Sequence, residues 1–138
     1  MPKTKPTLTL LGRSEAGIPQ SPSEATLETF RNPTKRAFHV QFDTADFTSL
    51  CPVTGQADFA TISIDYVPAK LCLETKSLKL YLASYRNERG FNEALTNRIL
   101  DDLVRACAPR QMTITAQFSA RGGIALTVIA RHPDKHGR

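Results

Sequence analysis

The feature that most restricts the fold is a double change of hydrophobic period between residues 38 and 130. Phe38, Val40 and Phe42 alternate with His39, Gln41 and Asp43, and Ala60, Ile62, Ile64 and Tyr66 alternate with Thr61, Ser63 and Asp65. Period-two patterning of this kind belongs to strands with one buried face. From Leu78 the period becomes helical: Leu78, Tyr81, Leu82 and Tyr85 stand at i, i+3, i+4 and i+7. Thr75 is the expected N-cap of this helix and Gly90 its stop. A second stripe begins near Asn92, with Leu95, Ile99, Leu103 and Ala106 on one face and Leu100, Val104 and Cys107 beside them, and Pro109 ends it. Alternation then returns in Met112, Ile114, Ala116 and Phe118 and again in Ile124, Leu126, Val128 and Ala130, joined by an Arg121-Gly122-Gly123 turn. Leu71-Cys72-Leu73 is a short apolar piece expected to pair back on the strand before it. Strands, two helices and strands with short links predict an α+β domain, an antiparallel sheet carrying a helix pair on one face. Such a sheet has two open edges, so edge-to-edge assembly of copies is expected.

A chain of 138 residues fits one domain. Residues 1–36 hold five of the nine prolines and many Ser, Thr and Lys, so they read as an N-terminal arm, partly extended, ahead of a single domain over 37–138. Within the arm, Leu27 and Phe30 are placed to dock on the body. The net charge of +5 is unevenly spread: six Lys/Arg against three Asp/Glu in residues 1–36, twelve against ten in 37–138. No basic run marks a nucleic-acid groove, so no direct nucleic-acid partner is expected. Cys51, Cys72 and Cys107 are odd in number and show no close pair, and His39, His132 and His136 show no ligand spacing. A disulfide framework and a structural zinc site are both disfavoured. No apolar run is long enough for a membrane span and no signal-like segment is seen, so a reduced, cytoplasmic protein is the expectation.

Four stretches carry residues suited to chemistry. Phe47–Thr61 places Cys51-Pro52, the turn formers Thr54-Gly55-Gln56 and Asp58 within eight residues. A nucleophile with a proton source beside it is what covalent catalysis requires. A half-buried packing cysteine in a Pro-Gly loop is the structural alternative. Cys72, between two leucines, and Cys107 read as core. Glu74-Thr75-Lys76-Ser77-Leu78-Lys79 starts a helix, whose free N–H groups and two lysines could hold a phosphate-bearing cofactor; otherwise Glu74 complements the helix dipole and the lysines are solvated. Asn92-Glu93 lies at the next helix start. A carboxylate there can accept from the ring N–H and amine of a guanine-like base; otherwise Asn92 caps the helix and Glu93 decorates its first turn. Arg121, beside Gly122 and Gly123, could reach a phosphate or simply sit in an ordinary hairpin.

Taken in order, these stretches resemble the NADPH-dependent 7-cyano-7-deazaguanine reductases, the nitrile reductases of queuosine biosynthesis, in their short single-module form. The likeness runs from about Leu11 to the last strand. Phe47-Thr-Ser-Leu-Cys51-Pro-Val-Thr-Gly-Gln-Ala-Asp58-Phe-Ala is similar to the family's nucleophile loop, and Glu74-Thr-Lys76-Ser-Leu-Lys79-Leu-Tyr81 to its Glu-x-Lys-Ser-hydrophobic-Lys-x-aromatic segment; Ser84-Tyr-Arg-Asn and Arg121-Gly-Gly-Ile also fit. The resemblance implies a tunnelling fold whose barrels are completed by ring-forming homo-oligomerisation, with active sites between subunits. It implies that Cys51 attacks the nitrile carbon, Asp58 supplies a proton and a covalent thioimide forms, with two NADPH molecules delivering successive hydrides to give the 7-aminomethyl product, a step toward tRNA modification. Leu73, Glu74 and Thr75, through their backbone, and Asn92 and Glu93 would bind substrate; Lys76, Ser77, Lys79, Arg121 and Gly122 would meet the cofactor. Asn92 departs from the family, which commonly has His before its substrate Glu. Two other function classes share some of these features. Phe47-Thr48-x-x-Cys51-Pro52 also resembles the thiol peroxidase loop of peroxiredoxins, although these need alternating strands and helices. A small basic binding module would leave the Cys51–Asp58 loop without a purpose.

Overall fold

The computed structural model describes residues 1–11 and 17–134; His136 and the middle of the N-terminal arm lie outside them. The elements follow as β1 (Lys3–Lys5), β2 (Thr26–Arg31), β3 (Val40–Leu50), β4 (Ala57–Val67), β5 (Leu71–Leu73), α1 (Thr75–Ala83), α2 (Asn92–Cys107), β6 (Gln111–Arg121) and β7 (Ile124–His132). A four-stranded antiparallel sheet runs β3-β4-β6-β7. Register alignment puts Phe42 opposite Ile64, Ile64 opposite Ile114 and Ile114 opposite Ala130, so the apolar alternation of all four strands falls on one face. The two helices cover that face: α2 lies over β6 and β7, α1 against β2 and β3. Ile62, Ile64, Ile99, Leu103 and Ile114 are buried between the layers. The other face shows Thr61, Gln117 and Thr127 to solvent. This is the α+β, tunnelling-type architecture that the period changes and the resemblance predict.

Several local expectations change. Glu74, not Thr75, caps α1: its carboxylate accepts from the N–H groups of Lys76 at 2.7 Å and Ser77 at 2.8 Å. Glu has the reach to bond two orphan N–H groups at once, which the shorter Thr side chain one residue later cannot. α1 stops at Ala83, well before Gly90, and passes into a 3-10 turn over Ser84–Asn87 that keeps Tyr85 buried. β3 begins at Val40 and runs on to Leu50 through a bulge between Thr44 and Phe47. The nucleophile stretch is therefore mostly hairpin, and only residues 51–56 form its loop.

Leu71–Leu73 does not pair back on β4. It pairs with β2, with Thr29 opposite Leu73, and β2 in turn takes β1 alongside in parallel. Thr26–Arg31, inside the stretch read as an arm, thus belongs to the packed body. Leu27 docks as expected, fully buried, but Phe30 is exposed. Glu28 is also buried, and its carboxylate accepts from the N–H groups of Thr9 at 2.8 Å and Leu10 at 3.0 Å and from the Thr9 hydroxyl. A charged group buried here is tolerable because those donors replace its water. Although burial opposes ionisation, these bonds and Lys5 hold the Glu28 carboxyl below its ordinary value.

Candidate active site

The hairpin between β3 and β4 builds the centre of the site. Ser49 faces Asp58 and Leu50 faces Ala57; the loop is then closed by Cys51 N–H donating to Gln56 O at 2.8 Å and Gly55 N–H donating to Cys51 O at 2.9 Å. Gly55 has φ +72°, a left-handed conformation that a side chain would strain. Cys51 follows directly on β3, and Asp58, opposite Ser49 on β4, is near enough for its charge to bear on the thiol. The Cys51 thiol is partly exposed, while the Asp58 carboxylate is buried. The thiol is lowered from its ordinary value by the Thr54 hydroxyl first, then by the Thr54 and Val53 N–H groups; slight burial and the nearby Asp58 charge oppose this. Backbone donors directed at sulfur favour thiolate, the nucleophilic form. Cys72 and Cys107 differ: burial pushes both thiols up, Cys107 to about 12. The expectation that these two are packing residues is met.

A second segment joins the hairpin. Leu50 N–H donates to Glu88 O at 2.9 Å, and Gly90 N–H donates to Leu50 O at 3.2 Å. Glu88 is held from α2 by Arg98 at 2.7 Å, and the Arg98 guanidinium lies 5.7 Å over the Tyr85 ring. The residue next to the nucleophile is therefore stitched to the residues just before Phe91-Asn92-Glu93, and the start of α2 arrives beside the Cys51 loop. Phe91, at the N-cap position, makes no side-chain cap. Asn92 does not cap the helix either: its Oδ1 is buried without a hydrogen-bond partner, as is Ser49 Oγ on the hairpin. Two orphaned buried polar atoms on the two segments that meet around Cys51 are costly in a finished structure and suit a site completed by a ligand or a second chain. Glu93 is exposed in the first turn of α2. Beneath, Phe47 packs on Tyr85 at 5.5 Å between ring centres, and the Tyr85 hydroxyl meets Tyr81, which donates to Asp102 at 2.6 Å.

The α1 start is less open than the sequence suggests. Its first N–H groups are taken by Glu74, so they offer no phosphate site of their own. Ser77, expected at the cofactor, is fully buried: its hydroxyl accepts from Glu28 N–H and donates to Glu74 O, both at 3.0 Å. Leu73 N–H donates to the Tyr66 hydroxyl and Glu74 N–H to Glu28 O, each at 2.9 Å. Thr75 is thus the exposed member of the substrate trio. Thr75 and the exposed Lys79 line a cavity of about 390 Å³ whose floor includes Phe42, Phe47, Ile62 and Leu78. Gly122 lies at the exposed tip of the β6–β7 hairpin with φ +57°. Arg121 turns from that hairpin onto the nucleophile loop: its Nε lies 2.7 Å from Asp58 Oδ1. A pairing across 63 positions of chain has no local signal, and the sequence reading missed it. It missed the Thr54 hydroxyl too, although a hydroxyl three residues after a loop cysteine is a legible hint. Among the described residues no group of His, Cys, Asp and Glu is arranged to hold a metal ion, and no helix is long and apolar enough to cross a membrane.

Known proteins match this chain along most of its length. The family model described as QueF-like protein matches residues 57–137. A protein of Nitrosospira multiformis named NADPH-dependent 7-cyano-7-deazaguanine reductase is 53% identical over 116 residues, 83% of each chain. Proteins of the same name from Halorhodospira halophila and Alkalilimnicola ehrlichii are 55% and 58% identical, covering 82% and 77% of this chain and 94% and 83% of their own. Among solved structures, the archaeosine synthase QueF-Like in the apo form superposes with a TM-score of 0.62 at 22% identity, over 72% of this chain and 95% of that one.

Proposed function

The chain belongs to the QueF-like family that includes the NADPH-dependent 7-cyano-7-deazaguanine reductases, and from that membership and the site geometry we propose that it reduces the nitrile of 7-cyano-7-deazaguanine to the aminomethyl group through a covalent bond to Cys51. The observation that supports this reading is the lowered Cys51 thiol at the turn of the hairpin that carries Asp58, whose charge bears on it. The sulfur adds to the nitrile carbon, one carbon–nitrogen π bond opens, and the proton leaving the thiol reaches the nitrogen by way of Asp58, giving a thioimide. Two NADPH molecules, bound in turn, would each supply one of the two hydrides that the nitrile needs to become an amine. Glu93, in the first turn of α2, accepts from the guanine-like edge, with Asn92 beside it in the chain; Thr75 lines the separate cavity with Lys79. Asn92 donates a hydrogen bond where a His would also move a proton, so proton delivery falls to Asp58 or water.

The exposed Lys79, with Lys76, supplies positive charge of the kind that phosphates require, and this fits a phosphate-bearing cofactor without the buried Ser77, whereas the Arg121 guanidinium is already engaged by Asp58, Gln56 and Ala57. The two orphaned polar atoms and the open sheet edges support a site closed by a neighbouring copy in a ring-based homo-oligomer. The thiol peroxidase alternative needs helices alternating with strands, and here α1 and α2 follow one another. The test is intact mass spectrometry after incubation with the nitrile and no NADPH. Wild type and a Cys72→Ala/Cys107→Ala variant should gain one substrate mass, and Cys51→Ala none. An adduct persisting in Cys51→Ala would falsify the assignment.

A further inference from the structure

Arg121 spends its whole guanidinium on one side of the nucleophile loop. Nε meets Asp58 Oδ1 at 2.7 Å, Nη1 donates to Gln56 Oε1 at 2.5 Å, and Nη2 donates to Ala57 O. These three acceptors are consecutive, and the first residue of the run, Gln56, also closes the loop by accepting from Cys51 N–H. β6 pairs with β4 as far as Phe118 opposite Ala60 and goes no further toward the loop. Beyond that point a register shift between Phe118 and Arg121 bends β6, and bends of this type re-aim side chains beside active sites. The Arg121 side chain is 42% exposed and that of Asp58 11%, so the cation reaches from the surface onto a nearly buried anion.

We propose that Arg121 is a positioning residue for the nucleophile: it fixes the Gln56–Asp58 edge of the loop and neutralises the Asp58 charge that Cys51 would otherwise face. Two other charged groups bear on this corner. Asp58 comes from β4. The Arg89 guanidinium covers the loop, since a Cβ on Gly55 would fall 2.8 Å from Arg89 Nη2. Of these, Asp58 opposes the thiolate by its charge, and Arg121 is its direct ion-pair partner. Without Arg121 a buried carboxylate stands uncompensated next to a sulfur that must become anionic, and the thiolate becomes harder to form.

This inference rests on the reading of Cys51 and Asp58 as the reacting pair, but its test needs neither nitrile nor NADPH, so it fails or stands apart from the reductase reaction. The rate of Cys51 alkylation by iodoacetamide is followed against pH by peptide mass spectrometry in full-length protein. Arg121→Gln should move the midpoint up by about half a pH unit or more, the size expected for a partly solvent-screened charge. Arg121→Lys, which keeps the cation but loses the three-pronged contact, should move the midpoint by clearly less than Arg121→Gln. In an Asp58→Asn background, Arg121→Gln should move the midpoint by less than half as much, because the charge it neutralises is gone. An unmoved midpoint in Arg121→Gln, an equal shift in Arg121→Lys, or an undiminished shift in the Asp58→Asn background would overturn the proposal.

Discussion

Replacing Tyr81 by Phe removes one oxygen from the centre of the helix layer. Tyr81 is fully buried, and its hydroxyl donates to Asp102 Oδ2 at 2.6 Å while meeting the Tyr85 hydroxyl at 2.7 Å. Asp102 keeps one other partner, Arg105, at 3.1 Å on its second oxygen. Since Asp102 can only accept, Tyr81 donates to it, and Tyr85 donates to Tyr81. Burial, followed by the neighbouring hydroxyl and carboxylate, raises the Tyr81 phenol well above its ordinary value, so the donor role holds at any working pH. The substitution deletes a bond to a charged acceptor, about 1.5–3 kcal/mol, and strands the Tyr85 hydroxyl in a dry site for about 1 kcal/mol more. A loss of about 3 kcal/mol follows. With an unfolding entropy of about 2.1 cal/mol/K per residue, this lowers Tm by roughly 10 °C. Tyr85→Phe removes only the outer donor and should cost about 1 kcal/mol. Urea titration followed by far-UV circular dichroism, at one protein concentration so that assembly does not shift the midpoint, gives both values. Equal losses in the two variants, or a loss under about 1 kcal/mol in Tyr81→Phe, would refute the donor chain as drawn.

Glu93→Gln should weaken substrate binding by about 1–3 kcal/mol with little change for NADPH, because one acceptor oxygen becomes a donor facing donors; unchanged affinity in titration calorimetry would leave Glu93 a helix-start residue only. Thr54→Val removes the group that contributes most to the lowered Cys51 thiol, so the acid limb of adduct formation against pH should move to higher pH; a fixed limb would mean the backbone donors suffice. Lys79→Ala should raise KM for NADPH while leaving adduct formation unchanged, and a normal KM would put the anion site elsewhere. The lowered Glu28 carboxyl contributes stability that is complete above its ordinary value of 4.5 and lost as pH falls below it. Acid titration of Glu28→Gln should accordingly show a flatter stability curve there than wild type, and parallel curves would contradict the anchoring of the arm by Glu28.

Elements that bury one continuous face could be read from residue order, and those held by distant partners could not. Ile62, Ile64 and Tyr66 announce β4 because every second residue must meet the helices. β2 was hidden because Glu28 occupies one of its buried positions, and the donors that make this tolerable, Thr9 and Leu10, lie in the arm. The cap of α1 was misplaced by one residue because Glu is an uncommon N-cap, and only its two bonds to Lys76 and Ser77 identify it. At the site, the tight turn between Cys51 and Asp58 was legible because Pro52 and Gly55 interrupt the strand pattern, and Gly55 takes φ +72° there. The Arg121–Asp58 contact depends on the bend in β6, which the alternation of Met112 to Phe118 does not foretell. Asn92 had two readings in the sequence, a substrate contact and a helix cap, and the helix start does not use it as a cap. Its unpartnered Oδ1 instead points to a function beyond the helix.

Reduction of a nitrile at Cys51 with NADPH as the reductant is the proposed reaction. Nicotinamide absorbance followed during incubation with 7-cyano-7-deazaguanine tests it most directly, with the product quantified by mass spectrometry. NADPH loss should depend wholly on the nitrile, reach about two equivalents for each aminomethyl product as reduction of a nitrile to an amine demands, and vanish in Cys51→Ala. NADPH loss without the nitrile, or aminomethyl product formed at an undiminished rate by Cys51→Ala, would contradict it.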